Sequence, residues 1–298
     1  MNNPITNADA LLFRASSNGY LMTEPREKNP KDKYEEEIIS LKEKREKYAL
    51  TANKETKTAM SLLSSIQKLE LSIQELAKVK DEPFLSETTM THLVDKFVSA
   101  RYGRNTDIAN KYTKKGLMVE EDSITLYSRV KKEFFKKNES TLSNEFICGT
   151  PDLFTGDDIN NAETIIDVKS SWDIFTFFRT TRAKLNKQYY WQLQSYMALT
   201  GAKSAKLVYC LIDTPPPLIY DEVKRLQWKM GVIDPDTDEL FQQGQKEIEN
   251  SLVYSDIDIN ERYNEILIER NDEDIEALYN RIKECRVWMN QNLFNHKQ

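Results

Sequence analysis

The segment Ile165-Ile-Asp-Val-Lys-Ser170 sets two charged residues in an apolar run that is typical of a buried β-strand. Alternate side chains of a strand point to the same face, so Asp167 and Lys169 share one face while Ile166 and Val168 share the other. Burying charged groups costs several kcal/mol per ion unless partners compensate. This segment therefore predicts a central strand that carries a charged site on one face.

A second acidic residue, Asp152, follows Pro151 in the apolar segment 145–154, which also predicts a strand. Residues 157–161, rich in Asp and Asn, are typical of a turn between the two strands. We therefore expect a hairpin that brings Asp152 close to Asp167.

The chemistry of this predicted site is that of a metal bound by oxygen atoms. Asp152, Asp167 and the backbone carbonyl of Val168 are the expected ligands. Lys169 would orient or deprotonate a water molecule and counter the charge of a phosphate. The chain has two histidines and three cysteines that lie far apart, which argues against zinc and favours Mg²⁺, with Mn²⁺ able to substitute. An ordinary ion pair on a hairpin is the alternative.

Upstream of the hairpin, residues 116–137 predict an amphipathic helix. Glu120 lies at the margin of its apolar face and is expected to point a carboxylate at the same metal site. Its neighbours Glu121 and Asp122 are alternative candidates. A solvated acidic start of the helix, favoured by the helix dipole, is the structural alternative.

Downstream, residues 188–199 predict a helix in which Gln192 and Tyr196 lie four positions apart on one face. The Gln amide and the Tyr hydroxyl would hold a phosphate or an active-site carboxylate, with half-buried polar packing as the alternative. Four cations precede this helix: Arg179, Arg182, Lys184 and Lys187. They would follow a DNA backbone, although a solvated basic turn is equally consistent with the pattern.

The chain is predicted to contain four segments. Residues 1–30 join the core, 31–82 form a helical insertion, 83–217 form the core, and 218–298 form a mostly helical extension packed on the core. The insertion lacks Gly and Pro and predicts two antiparallel helices with a turn near Asn53, or one continuous rod. We expect it to be a coiled-coil-like appendage or an oligomer contact.

Charge and hydropathy narrow the class of protein. A net charge of −6 argues against a protein that coats nucleic acid nonspecifically, but it is compatible with local basic patches around an acidic metal site. No apolar run approaches the roughly 18 residues of a membrane span, and the first residues lack the pattern of a signal peptide. A cytoplasmic protein is expected, in the host cytoplasm if it is phage-encoded.

Taken together, these residues resemble the PD-(D/E)xK nuclease superfamily. The matching positions are Glu120, Pro151-Asp152, Asp167-Val-Lys169 and Gln192 with Tyr196. Within that superfamily the chain is similar to the phage lambda exonuclease and YqaJ-type recombination nucleases. The shared motifs there are Gly116-x-x-x-Glu120 with Leu126-Tyr127, and Arg14-Ala-Ser-Ser17. The resemblance covers roughly residues 11–23 and 86–215.

The resemblance implies an α/β fold with a restriction-endonuclease-like αβββαβ core around a mixed sheet. It also implies Mg²⁺-dependent, processive 5′-to-3′ digestion of linear duplex DNA, a single-strand annealing protein as partner, and a ring-shaped homo-oligomer. By this analogy Arg14 and Ser16 would bind the 5′-end phosphate, with Ser17 in the same DNA-binding segment. Two departures are Asp167, where Glu is commoner, and the insertion 31–82, which the minimal fold lacks.

Three hypotheses about function therefore stay open. The first is a DNA exonuclease of phage-type recombination. The second is a structure-specific or restriction-like endonuclease on the same core, which circular DNA would discriminate. The third is a non-catalytic DNA-binding or scaffold protein that assembles through the insertion. The intact set of Asp152, Asp167 and Lys169 favours an enzyme.

Overall fold

The structure is a computed structural model that describes residues 6–106 and 110–295. The described residues of Met1–Asp9, Tyr20–Arg104 and Arg281–Gln298 form one compact unit, here called the hairpin unit. Those of Ala10–Gly19 and Asn105–Asn280 form the other, here called the sheet unit. The four segments expected from the sequence have different boundaries and stay a prediction. None of the helices in the described residues is both long and apolar enough to cross a membrane.

The described residues form eleven α-helices. In chain order they are α1 (Asn18–Leu21), α2 (Pro30–Leu50), α3 (Lys57–Val79), α4 (Glu87–Tyr102), α5 (Lys111–Met118), α6 (Glu120–Lys131), α7 (Ile174–Thr180), α8 (Lys187–Thr200), α9 (Pro216–Met230), α10 (Glu239–Leu252) and α11 (Asp272–Met289). Short 3₁₀ turns occupy Ala15–Ser17, Ile159–Asn161 and Ile259–Glu261, and a π-turn occupies Asn290–Phe294.

The strands of the described residues are two to three or seven residues long. They are β1 (Phe13–Arg14), β2 (Leu142–Ser143), β3 (Ile147–Gly149), β4 (Leu153–Thr155), β5 (Thr164–Ser170), β6 (Ser204–Cys210) and β7 (Tyr263–Glu269). One sheet has the order β1-β3-β2 and the other β4-β5-β6-β7. In the larger sheet β5 pairs antiparallel with β4 and parallel with β6, and β7 pairs antiparallel with β6. The predicted mixed α/β fold and the predicted hairpin of β4 and β5 are confirmed.

Strand β5 separates two apolar layers of the sheet unit. Ile165 packs with the Leu193 and Met197 side of α8, while Ile166 and Val168 pack in the layer that contains Tyr127 of α6. The alternation seen in the sequence is therefore an alternation between two buried layers. Asp167 lies on the same face of β5 as Ile165 and therefore points into the layer that α8 covers.

Two sequence-based element boundaries are wrong. The single helix expected over 116–137 is broken at Val119, whose φ of −114° and ψ of 15° are not helical, and α6 ends where Lys132 adopts a left-handed conformation. The strand expected over 145–154 is two strands in different sheets, β3 and β4. The break at Val119 carries no strong sequence signal, because Val119 is neither Gly nor Pro, whereas Gly149 and Pro151 flank the break at Thr150.

Capping residues explain where several helices begin. Ser86 accepts from Thr89 N at the start of α4, and Asn186 accepts from Gln188 N at the start of α8. Asn271 accepts from the backbone of Asp274 at the expected start of α11. These side chains satisfy backbone donors that lack a partner in the first turn.

The hairpin unit contains the two antiparallel helices expected from the insertion. Lys44 of α2 donates to Ser65 of α3, and Arg45 pairs with Glu70, so the two helices lie side by side. The polar segment that includes Asn53 separates the helices, as predicted. One continuous rod is therefore excluded.

Candidate active site

Asp167 is the most deeply buried carboxylate of the candidate site, with a side chain that is only 1% exposed. Lys169 Nζ lies 2.7 Å from Asp167 Oδ2 as an ion pair. Gln192 Nε2 donates to Asp167 Oδ1 over 3.1 Å and to the Tyr196 hydroxyl over 3.1 Å. The structure thus joins two adjacent residues of one face of β5 to the two polar residues predicted on α8.

Asp152 reaches the same place because the backbone breaks between β3 and β4. Pro151 has no N–H to continue a ladder, and Asn138 stabilises the break by donating to Pro151 O over 2.9 Å and to Asp152 O over 2.8 Å. The Asp152 carboxylate then accepts the N–H of Val168 over 2.8 Å. Asp152 is therefore held at the edge of β5, beside Asp167.

The candidate site contains two neighbouring carboxylates, and the positive charge beside them is too small to neutralise both. Burial, followed by repulsion from Asp167, raises the pKa of Asp152 to about 7. Burial opposes protonation of Lys169, but Asp167 and Asp152 outweigh it and raise the pKa of Lys169 above its usual value. Burial and the charge of Asp167 also raise the pKa of Tyr196. The site is therefore suited to receive a further cation.

These residues fit a divalent cation of the magnesium type. Asp167 Oδ2 is buried and accepts no hydrogen bond of good angular geometry, apart from its ion pair with Lys169. Within 6–106 and 110–295, no three His, Cys, Asp or Glu side chains form a ready metal cluster. The donors that the described residues do supply are the two carboxylates of Asp152 and Asp167, and one or two carboxylates with water and phosphate are a common donor set for Mg²⁺.

Glu120 lies in the first turn of α6, half-buried, and its carboxylate pairs with Lys137 at 2.8 Å. It contributes to the raised pKa of Asp152, so its charge is felt at the site. The alternatives Glu121 and Asp122 are exposed. Of the three acidic candidates on this helix, Glu120 is thus the one that the fold partly buries and orders.

The N-terminal motif lies against α8 and β3. Gly149 permits this contact, because an added Cβ would lie 2.7 Å from Tyr196 Cε1 and 2.9 Å from Ala15 Cβ. Asn18 also donates to Ser195 of α8 over 2.8 Å. The fold therefore brings the segment that contains Arg14 to the helix that carries Gln192 and Tyr196.

The predicted DNA-binding side chains are accessible. Arg14 and Ser16 are exposed, and half-buried Ser17 donates to Arg14 O over 3.0 Å. Arg179, Arg182 and Lys187 are also exposed, on α7, after it and at the first residue of α8. The geometry leaves these side chains free to meet a ligand, and their role in binding DNA stays a prediction.

Three residues near the site were not predicted from the sequence. Lys137 pairs with Glu120, Tyr189 places its ring 5.3 Å from Lys169 Nζ, and Lys115 of α5 is fully buried with its Nζ 2.8 Å from Trp172 O. Lys137 belongs to a basic stretch with no periodic pattern. Tyr189 is one of several aromatic residues before Gln192, and such a group indicates packing and no contact with a charged site. Lys115 stands among charged and polar residues that indicate exposure, so its burial had no local signal.

No protein-family model matches the chain, and no curated protein is significantly similar to it. Among solved structures, a phage-related exonuclease from Haemophilus somnus 129PT aligns over 95% of this chain and 95% of its own, with a TM-score of 0.59 and 21% identity. The chain has the fold of this phage-related exonuclease. The alkaline exonuclease LHK-Exo from Laribacter hongkongensis aligns over 69% of this chain and 81% of its own, with a TM-score of 0.45 and 15% identity.

The likeness to the phage-related exonuclease extends over nearly the whole of both chains, so it includes the helices outside the sheet as well as the sheet itself. The fold expected from the resemblance to lambda-type exonucleases is thereby confirmed.

Proposed function

We propose that the protein is a divalent-metal-dependent DNA exonuclease that hydrolyses phosphodiester bonds of linear duplex DNA. The observation that supports this most strongly is the group of Asp152, Asp167 and Lys169, which are brought together from two strands in a partly buried site. A structural ion pair alone has no need of a second buried carboxylate such as Asp152, whose pKa is raised by burial and by repulsion from Asp167. A shared fold with a phage-related exonuclease is consistent with the proposal.

Each protein group has a distinct task in this proposal. Asp152 and Asp167 would hold Mg²⁺, together with the Val168 carbonyl, and Glu120 would add negative charge at the margin of the site. When bound, the cation would polarise the phosphate and lower the pKa of a coordinated water molecule.

Lys169 counters the charge of the phosphate. The neighbouring carboxylates raise its pKa, so the ammonium group stays protonated near neutral pH and donates hydrogen bonds instead of accepting a proton. Gln192 orients Asp167 through its 3.1 Å hydrogen bond, and Tyr196 holds the Gln192 amide from the other side. A fixed carboxylate keeps the cation and the attacked phosphorus in one geometry.

We further propose digestion from 5′ ends, with Arg14 and Ser16 binding the terminal phosphate. Arg14 is exposed on the segment whose Ala15 contacts Gly149 and Tyr196, which supports a place for it near the site. A single-strand annealing protein and a homo-oligomer are the proposed partners. A role in phage-type recombination would follow from such an assembly.

The proposal is tested with duplex DNA labelled at one end or the other and with a covalently closed circle, each in Mg²⁺, in Mn²⁺ and in EDTA. We expect degradation of the linear DNA from its 5′ ends, survival of the circle and no activity in EDTA. Asp167→Ala and Lys169→Ala should both be inactive. Lys206→Ala is the matched control, because Lys206 lies on the adjacent strand β6 at 3.9 Å from Glu265.

Other outcomes separate the hypotheses. Cleavage of the circle would identify an endonuclease on the same site. Degradation from 3′ ends would leave the nuclease proposal standing and reverse its polarity. Intact DNA with every metal would reject the enzyme and favour a DNA-binding or scaffold protein.

A further inference from the structure

Helix α7 exposes two aromatic rings. Phe175 is 65% exposed and Phe178 is 49% exposed. The two residues are three positions apart, so their side chains are neighbours on one face of the helix. Single exposed apolar residues are ordinary on protein surfaces. Two exposed phenylalanines on the same helix face together give an apolar surface that a ligand can contact.

The rest of α7 anchors this surface. Phe177, between the two exposed rings, is buried with Leu211 and Tyr254, and its ring meets that of Phe178 edge-on at 5.3 Å. Asp173 caps the helix by accepting from Thr176 N over 2.6 Å. The exposed rings therefore stand on an anchored helix, which lowers the entropy lost when they bind a partner.

Asp173 precedes the rings at the N-terminus of α7, but the charges that follow them along the chain have one sign. No Asp or Glu occurs between Asp173 and Asp213, in a chain whose net charge is −6. The cations that follow the rings are Arg179, Arg182, Lys184 and Lys187. None of the four forms an ion pair with any residue in 6–106 or 110–295, and all are exposed.

This surface is connected at both ends to the candidate active site. Strand β5, which carries Lys169, ends at Ser170, and α7 begins at Ile174. On the other side Lys187 begins α8, and Tyr189, two residues later, places its ring 5.3 Å from Lys169 Nζ. The four cations therefore lie in the chain between β5, which carries Lys169, and α8, which carries Gln192.

We propose that Phe175 and Phe178 form a stacking site for unpaired bases of a DNA strand, with the four unpaired cations holding its phosphates. Aromatic rings interleaved with cations are the chemistry that binds single-stranded nucleic acid without sequence preference, because every base has a flat face. A protein partner would gain little from four cations without a matching acidic surface. The inference rests on the proposed function in one respect, which is that DNA is the substrate.

The test measures binding to a fluorescein-labelled oligothymidine strand and to a strand of the same length with abasic residues, both in EDTA so that no hydrolysis occurs. F175L/F178L removes the flat rings but keeps apolar side chains, whereas F175Y/F178Y keeps the rings. Tyr220→Leu is the control, because Tyr220 is another exposed aromatic residue but stands beside Asp221 and Glu222.

We expect the wild type to prefer the base-bearing strand by about tenfold, as one stacked base contributes on this scale. F175L/F178L should bind both strands alike with an unchanged dependence on salt, because the cations remain. F175Y/F178Y and Tyr220→Leu should keep the preference. A 2-aminopurine base in the strand should be quenched by the wild type and by the Tyr variant only.

The proposal is overturned if the Leu variant keeps the preference, or if the wild type has none. It is also overturned if the Leu variant changes only the oligomeric state in sedimentation, since the rings would then contact a second copy. Asp167→Ala, which should abolish hydrolysis, should bind the strands as the wild type does. Failure of hydrolysis and failure of stacking are therefore distinguishable.

Discussion

The α2–α3 hairpin and the β5 strand carry ion pairs of nearly the same length in opposite surroundings. Arg45 and Glu70 approach to 2.6 Å with side chains 60% and 38% exposed. Lys169 and Asp167 approach to 2.7 Å with side chains 25% and 1% exposed. Water hydrates the exposed charges of Arg45 and Glu70, so their contact adds little to the stability of the fold. The charges of Lys169 and Asp167 have lost most of that hydration and depend on each other and on their protein partners.

The difference shows that the energetic cost of a charged side chain depends on how far the fold buries it. Helix α2 has no buried residue, and α3 buries only Ala59 and Ile66, so charges along the hairpin cost almost nothing. In the sheet unit Asp167 and Lys115 are buried completely or nearly so. A chain that keeps such groups gains something from them that packing does not supply.

The sharpest test removes one partner from each pair. Asp167→Asn should lower the rate of hydrolysis of linear duplex DNA by about a thousandfold or more, because the metal and Lys169 lose the buried charge that positions them. Glu70→Gln should leave the rate unchanged. The measurement is the initial rate at saturating Mg²⁺. Equal effects of the two substitutions would contradict the assignment of the site to β5.

A second test alters the packing of the site without touching its charges. Gly149→Ala should displace Tyr196 and lower kcat/KM by about a hundredfold, since shifts near 1 Å cost that much in a positioned site. It should also destabilise the fold by about 1–3 kcal/mol. Gly116→Ala on α5 is the control for stability, because its added Cβ meets nothing within 4 Å and a helical alanine stabilises by up to about 1 kcal/mol.

Lys115 extends the comparison to a charge outside the site. Burial lowers the pKa of Lys115 to about 8, although Asp173 and Asp213 oppose the shift. Below that pH the folded protein bears the cost of a buried cation. As the pH rises toward the unfolded value near 10.4 the unfolded chain binds the extra proton, so stability increases with pH.

Replacing Lys115 by Met removes this dependence. Between about pH 7.5 and about pH 10, the free energy of unfolding of the wild type should rise by about 2 kcal/mol relative to Lys115→Met. Urea unfolding of both proteins at the two pH values measures the difference. A constant gap would mean that the Lys115 ammonium is not buried in solution.

The smallest effect is expected on the hairpin. Arg45→Met should lower the free energy of unfolding by less than about 1 kcal/mol, because an exposed pair gains little beyond what water supplies. The loss should shrink further at high salt, since exposed charges are screened. Thermal unfolding at low and high salt measures both. A larger loss would show that the pair is buried by a contact that the isolated chain lacks.

Much of this architecture follows from local patterns. The alternation around Asp167 predicted a strand with its charges on one face, and Asn271, Ser86 and Gly201 marked helix ends where the structure has them. Such patterns are reliable because strand geometry and helix caps depend on residues only a few positions apart. The fold class was predicted correctly from these local patterns for the same reason.

Other features had little local signal. Val119 breaks a helix in the middle of a regular apolar pattern, and although Gly149 and Pro151 mark the end of β3, nothing local assigns β3 and β4 to different sheets. Both depend on partners far away in the chain. β3 pairs with β1 near the N-terminus, and the break after it is held by Asn138.

The sequence alone determined that Asp167 and Lys169 lie on one face and that Gln192 and Tyr196 share a helix face. It predicted Asp152 within a strand beside them, whereas the structure places Asp152 one residue before β4. Only the tertiary structure decided which charges lose their water: Lys115 and Asp167 are buried, while Arg179 and Arg182 remain exposed. The physical reason is that the face on which a side chain lies follows from the repeat of its own helix or strand. Its burial depends on elements from distant parts of the sequence that pack against that face.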